Sequence, residues 1–262
     1  MKTFSAVPTA RLRQLRSLDP KGKSRVREYL VQNLRRRLRP WPVGMPTSAC
    51  PHVVILGVSP GNSPGPDHKG VNTSGESNYE KPTFGTPPDF GSGNDTRHYW
   101  EKVSDLCTFL VRRDDPKLSE HQALSLTGHL NLGTGRYGTA GPEAVKRDLV
   151  KWVSSLIGSK FRAKVLVCFG LTGILDKPRI KGFWNCDGGL KLNWSNPDVK
   201  ESFSRSAYHF RFWNAQRADG TPMAVLMWPN HPSRHPFSGG PENPNWLKAK
   251  KQADRLLRKH GF

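Results

Sequence analysis

The chain has 262 residues, 41 Lys+Arg against 21 Asp+Glu and a formal net charge of +20, with 35% hydrophobic residues. That length suits one substantial core with a small appendage, while a mean hydropathy of -0.63 and a pI near 10.2 point to extended polar segments and a polyanionic partner, nucleic acid before an anionic membrane. No apolar run reaches transmembrane length and no hydrophobic h-region follows the start, which predicts a cytoplasmic, bacterial-type, DNA-associated protein with no membrane partner.

Residues 1–45 carry the densest basic runs, "RLRQLRSL" and "KGKSRVREYLVQNLRRRLRP". Val26, Leu30, Leu34 and Leu38 repeat every four residues, predicting a helix over 24–38 that Pro40 and Pro42 end. A solvated helix with one packed stripe accounts for that pattern. Arg35, Arg36 and Arg37, however, put charge on several faces at once, as a basic arm on phosphates requires. The remainder, 46–262, reads as a single α/β domain.

"VVILGVSPGN" (53–62) is a buried strand that stops at Gly57 and Pro60. Some forty residues rich in Gly, Pro, Ser and Asn follow, a length usually functional or disordered. "RHYWEKVSDLCTFLVRR" (97–113) has helical period, with Trp100, Val103, Leu106, Cys107 and Leu110 on one face. "ALSLTGHLNLG" (123–133) reads as a strand ending in a glycine turn. "GPEAVKRDLVKWVSSLIG" (141–158) predicts a helix with Pro142 in its first turn, Val145, Leu149, Trp152, Val153 and Leu156 as the stripe, and Gly158 as its stop.

"AKVLVCFG" (163–170) is a second buried strand, and the basic, aromatic segment after it reads as irregular. Its Trp184, Trp194 and Trp213 suit nucleic-acid contact or a small cluster beneath a long loop; Trp152, Trp228 and Trp246 belong to core stripes. "TPMAVLMWPNHPSRHPF" (221–237) gives a third strand running into a His-Pro turn, and "NPNWLKAKKQADRLLRKHG" (243–261) a closing helix. Alternating apolar strands and helices imply a parallel sheet covered on both faces. The loops after 57, 131, 170 and 228 then gather along one edge. Cys50, Cys107, Cys168 and Cys186 show no CxxC pairing, which argues against a zinc module or disulfide framework. "GNSPGPDHKG" fails as a phosphate loop, because Gly rather than Ser/Thr follows its lysine.

These motifs resemble, in order over residues 51–260, those of the uracil-DNA glycosylase superfamily. "VVILGVSPGN" is similar to its first motif, a strand followed by G-x-(Asp/Asn/Glu)-P. "NHPSRHP" (230–236) resembles its H-P-S loop, nearest the single-strand-selective monofunctional type. "GHLNLG" resembles the strand whose terminal Asn reads the base, "VLVCFGLTG" the next strand and turn, and "PTFG" (82–85) the source of a stacking aromatic.

The resemblance implies a three-layer α/β sandwich with a central, mostly parallel twisted sheet. It also implies a monofunctional DNA glycosylase without metal or organic cofactor, which extrudes and hydrolytically excises a modified pyrimidine. His231 would then donate to the departing base's oxygen; outside this context it reads as a turn histidine. Asn131 would present its amide to a pyrimidine edge, or cap a turn. Phe84 would stack on the base or anchor its own loop, and Gly57 would lie at the base site. Gly61, Pro232 and Ser233 would face the DNA backbone, and Arg234 would fill the gap left by the flipped nucleotide.

The chain departs from the family at Ser59, which stands where a carboxylate or amide is usual. The loop offers Asn62, Asp67, His68 and Glu76 as substitutes, with Asn62 and Asp67 ahead of Glu76 by proximity. That departure and the long loop imply a rebuilt pocket, which leaves bulky 5-modified cytosines, such as glycosylated hydroxymethylcytosines of phage DNA, as an alternative substrate in antiviral defence. A non-catalytic binder of damaged or single-stranded DNA, or a covalent trap through His68, remains the other class.

Overall fold

The computed structural model describes residues 51–57, 94–132 and 147–262, apart from 162, 172, 187 and 204–207. In chain order its elements are β1 (Val53–Gly57), α1 (Asn94–Arg112), α2 (Glu120–Ser125), β2 (Thr127–Asn131), α3 (Arg147–Ser155), β3 (Val165–Cys168), α4 (Pro178–Trp184), β4 (Val199–Ser202), β5 (His209–Gln216), β6 (Pro222–Met227) and α5 (Pro244–Lys259). The predicted helix residues 141–146 lie outside the described set.

β1 and β3 are buried at every position, because a strand covered on both faces needs an unbroken apolar run. The six strands form one sheet of order β2-β1-β3-β6-β5-β4. β2, β1, β3 and β6 pair in parallel, whereas β5 and β4 add in antiparallel fashion. The sheet is therefore mixed, which corrects the expectation of a mostly parallel one. The antiparallel edge lies in the segment that reads as irregular in sequence. Its β5 alternates buried Phe210 and Phe212 with half-buried His209 and Arg211, a strand signal submerged in charge and aromatic content.

Two cores flank the sheet. Val54, Leu56, Leu166, Cys168 and Val225 pack with Val150 and Val153 of α3 and Ile180 of α4. Val53, Ile55, Val167 and Leu226 pack on the other face with Val103, Leu106 and Leu110 of α1 and Ala253, Leu256 and Leu257 of α5. The described elements thus stack as helix, sheet, helix. Cys107 and Cys168 are buried in these cores, as their apolar surroundings predict. Among the described residues no helix is long and apolar enough to cross a membrane.

Three local readings change. The expected strand 123–133 starts only at Thr127, because Ser119 and Gln122 form a capping box that opens α2: Ser119 N–H donates to Gln122 Oε1 at 2.8 Å and Gln122 N–H to Ser119 Oγ at 3.2 Å. Gly158 does not stop α3, which runs on as a wider turn over Leu156–Lys160. A Cβ at Gly158 would stand 2.4 Å from the Gly189 carbonyl carbon, so this glycine permits two backbones to touch. Trp184, Trp194 and Trp213 are core residues rather than nucleic-acid contacts. Each is at most 2% exposed, and their rings meet edge-on at 5.1 and 5.5 Å.

β1 lies between β2 and β3. α1, which follows β1 in the chain, packs on one face, and α4, which follows β3, packs on the other. Where the helices that follow neighbouring strands lie on opposite faces, the carboxyl ends of those strands flank the place in which α/β proteins bind ligands. Here those ends are Gly57 and Cys168.

Candidate active site

Gly57 and Asn131 are register partners at the carboxyl ends of β1 and β2, and Leu132 N–H donates to Gly57 O at 3.0 Å. Phe169 N–H continues the β3 ladder to Leu56 O at 2.9 Å, and Gly170 then turns the chain at φ 64°. β6 ends beside β3, with Met227 opposite Cys168 and Trp228 N–H donating to Cys168 O at 3.0 Å. Three residues later His231 swings back over β3. A Cβ built on Gly170 would lie 3.6 Å from His231 Cδ2, so the imidazole sits on the Gly170 turn. Gly57, the Asn131 backbone and His231 thus share the end of the sheet where β1, β2 and β3 finish, with His231 over the turn that follows β3.

The loop carrying His231 is tied by its own backbone. Asn230 Oδ1 accepts the His231 N–H at 2.8 Å, and Asn230 Nδ2 donates to His235 O at 2.7 Å. Arg234 N–H donates to His231 O at 3.0 Å, and Phe237 N–H to Arg234 O at 2.7 Å. Ser233 N–H donates to His231 Nδ1 at 3.3 Å. With Nδ1 accepting, the proton of the neutral ring resides on Nε2.

The ring is walled by Tyr99 of α1, stacked upon it at 5.1 Å with 5° between planes. Burial against these neighbours, then the positive charges of Arg234 and Lys102, lower the His231 pKa from 6.5 to about 4. At neutral pH His231 is therefore an uncharged imidazole presenting an Nε2–H. Such a group stabilises an oxygen that becomes anionic without surrendering its proton.

Lys102, one turn beyond Tyr99, is fully buried. Its Nζ donates to Pro232 O at 2.7 Å and also to Phe237 O. Three residues further along α1, Asp105 accepts from Lys250 Nζ at 2.6 and 2.7 Å and from Trp246 Nε1 at 2.9 Å. One stripe of α1 thereby meets the imidazole, the loop that bears it and the closing helix.

No family model matches the chain, and no curated protein matches it in sequence. The site's chemistry rests on its geometry.

Of the residues singled out by sequence, the structure pairs Gly57 with the Asn131 backbone and places His231 at the same end of the sheet, against Gly170 and Tyr99. Ser233 is half-buried with its N–H turned to His231, and Arg234 is exposed on the rim of the loop. Ser59, Gly61, Asn62, Asp67 and Phe84, the alternatives His68 and Glu76, and the arm residues Arg35, Arg36 and Arg37 lie outside the described residues. Sequence reasoning missed Tyr99, Lys102 and Gly170. Spacing alone was available as a signal: Tyr99, Lys102 and Asp105 recur every three residues beside the apolar stripe of α1. Nothing in that pattern marks Lys102 as an inward lysine.

Elsewhere, a cavity of about 690 Å³ is lined by Lys181, Asn185, Cys186, Leu190 and Trp194. It also touches Ala218, in the turn between β5 and β6, whereas His231 follows the far end of β6. The length of β6 thus separates it from the histidine. Among the described residues no group of three or more His, Cys, Asp or Glu could hold a metal ion.

Proposed function

We propose that the protein is a monofunctional DNA glycosylase that extrudes a modified pyrimidine and hydrolyses its N-glycosidic bond. The observation that carries this reading is the His231 imidazole held between Tyr99 and the Gly170 turn at the carboxyl end of β3, with Nδ1 accepting from Ser233 N–H so that Nε2 carries the proton of the neutral ring. As the bond breaks, its electron pair stays with the base and negative charge gathers on the pyrimidine O2, while the sugar becomes cationic at C1′. An Nε2–H donor directed at that oxygen lowers the barrier, because its dipole is already oriented before charge develops. Water adds to C1′ and releases a proton, leaving an abasic site and the free base.

The net charge of +20 supports DNA as the substrate, since counterions released from phosphates drive binding. Extrusion of the base is required because a duplex hides the glycosidic bond from a cleft. Asn131, on the strand next to Gly57, would read the pyrimidine edge. Asn62 or Asp67 would take the water-orienting role that Ser59 lacks.

Mass spectrometry of bases released from a panel of DNAs tests the reading. The panel contains uracil, 5-substituted uracils and phage DNA with glycosylated hydroxymethylcytosines. Expected are a free base and abasic sites, with release abolished by His231→Gln. Release from the phage DNA but not from uracil DNA assigns the bulky-cytosine pocket. DNA binding without any released base makes the protein a binder, and an adduct surviving denaturing gels makes it a covalent trap.

A further inference from the structure

The loop from Asn230 to Phe237 holds its shape by short-range bonds, yet these do not fasten it to the rest of the protein. Contacts with α5 and α1 do: Asn245 Nδ2 donates to Pro236 O at 3.3 Å and the Phe237 ring packs on Trp246, while α1 holds the side nearest the histidine. The Lys102 ammonium reaches two of its carbonyls, Pro232 O immediately after the histidine and Phe237 O at the loop's far end. A fully buried lysine is costly, because removing an ammonium from water is repaid only by strong hydrogen bonds. A simple scaffold would meet this position with an apolar side chain, as it does at Val103 and Leu106 beside it. A cation joined to both ends of one loop fixes that loop's position relative to α1. The same helix carries Tyr99, whose ring lies flat on His231. The Trp246 ring, 5.8 Å from Lys102 Nζ, adds a further favourable contact to the ammonium.

We propose that Lys102 is a positioning residue of the active site: by clamping the Pro232 and Phe237 carbonyls it sets the imidazole of His231 against Tyr99 and over the Gly170 turn. This role deepens the glycosylase reading and rests on it for its catalytic meaning. Its structural content stands without any substrate. The charges that act on the imidazole are Arg234 from its own loop and Lys102 from α1, with the Tyr99 ring stacked upon it and the Gly170 turn beneath. Removing Lys102 therefore withdraws one of two nearby positive charges as well as the clamp.

The test is side-chain NMR of His231 in the full chain without DNA, comparing wild type, Lys102→Met and Lys250→Met. Lys250 pairs with Asp105 on the same helix but bonds no part of the loop, so its loss weakens the α1–α5 contact alone. Expected for Lys102→Met are an upward shift of the His231 titration midpoint and loss of the ring-current shift that Tyr99 imposes. Lys250→Met lowers the melting temperature with both signatures intact. If Lys102→Met melts earlier while His231 titrates and resonates as in wild type, Lys102 is scaffold and the proposal is overturned.

Should Lys102→Met fail to fold, the wild-type protein decides through couplings from Lys102 Nζ across the hydrogen bonds to the Pro232 and Phe237 carbonyl carbons. Their absence overturns the clamp. On a substrate identified by the base-release panel, Lys102→Met is expected to lower kcat by up to about 10²-fold with KM unchanged, the size of effect that a displaced catalytic group produces. A loss in KM alone contradicts positioning. Failure of every DNA in the panel removes the catalytic reading and leaves the NMR result standing.

Discussion

The rings of Tyr99 and His231 lie parallel, 5.1 Å apart between centroids and 5° apart in plane. An imidazole held flat between a phenol and the Gly170 turn has little freedom about its side-chain torsions, so its Nε2–H direction is set before any ligand arrives. Tyr99→Ala removes one wall. It is expected to lower base release about 10-fold or more and to broaden the His231 side-chain resonances, whereas Tyr99→Phe retains the ring and the stacking. Single-turnover release rates check this, and equal rates for Ala and Phe would show that the stack has no part in the chemistry.

The depressed pKa of His231, about 4 against an ordinary 6.5, gives a stability signature with a definite sign. The unfolded chain takes up the proton first. The contribution of neutral His231 is therefore complete above about pH 6.5 and declines as the pH falls through 4. The difference in unfolding free energy between wild type and His231→Gln should shrink over that acid range and stay level from pH 7 to 8. Urea titrations measure it. In the same window the acid limb of kcat should fall near pH 4; an acid limb near 6.5 would mean that the ring's pKa is not lowered in the folded protein, and activity lost as the pH rises through the ring's pKa would mean that it works in its charged form.

Gly170 and Gly173 both have left-handed backbones, at φ 64° and 72°. Alanine at either position costs about 1–2 kcal/mol from backbone strain. Their surroundings differ, because a Cβ at 170 meets His231 Cδ2 at 3.6 Å and a Cβ at 173 meets nothing within 4 Å. Both variants should melt earlier by similar amounts, but Gly170→Ala alone should shift the His231 resonances. Identical His231 spectra in the two would remove the imidazole from the Gly170 turn.

At Gly158 two effects oppose each other. Alanine favours a helical turn over glycine by about 1 kcal/mol, yet its Cβ would stand 2.4 Å from Gly189 C and 2.6 Å from Gly188 O, both backbone atoms. Backbone cannot rotate aside as a flexible side chain can, and overpacking costs about 1–3 kcal/mol. The steric term should win, and Gly158→Ala should be destabilised by about 1 kcal/mol or more in equilibrium unfolding. A stabilised variant would mean that the two segments separate readily.

DNA binding should weaken steeply with salt, by about 10³-fold or more between 50 and 200 mM if six or more phosphates are neutralised. Deleting residues 1–45, with "RRR" at 35–37, should flatten the slope of log affinity against log salt. Fluorescence anisotropy over a salt series reads both, and an unchanged slope would take the arm off the phosphates.

Periodicity and composition carry the local parts of this protein. The unbroken apolar runs of β1, β3 and β6 announce strands buried on both faces. The stripe at Val103, Leu106, Cys107 and Leu110 announces α1, and Asn243 before Pro244 announces α5. The placement of Gly57 and His231 each at the end of a strand is legible for the same reason, since a strand's end is marked by its neighbours in the chain. The antiparallel edge is not, because charge and aromatic content conceal the alternation of β5, and the capping box of α2 displaces the start of β2.

Tertiary structure alone decided what surrounds the histidine. Tyr99 and Lys102 lie more than a hundred positions from His231 in sequence, and their contacts exist only because α1 packs on the same face of the sheet as the loop after β6. A lysine beside an apolar stripe ordinarily reaches for water. Here the carbonyls of Pro232 and Phe237 draw it inward, and the positive charge it brings helps keep His231 neutral. Residue type determined which groups were able to donate, and the packing of helix against loop determined which protonation state they hold, because charge in a buried site is set by the neighbours that replace water.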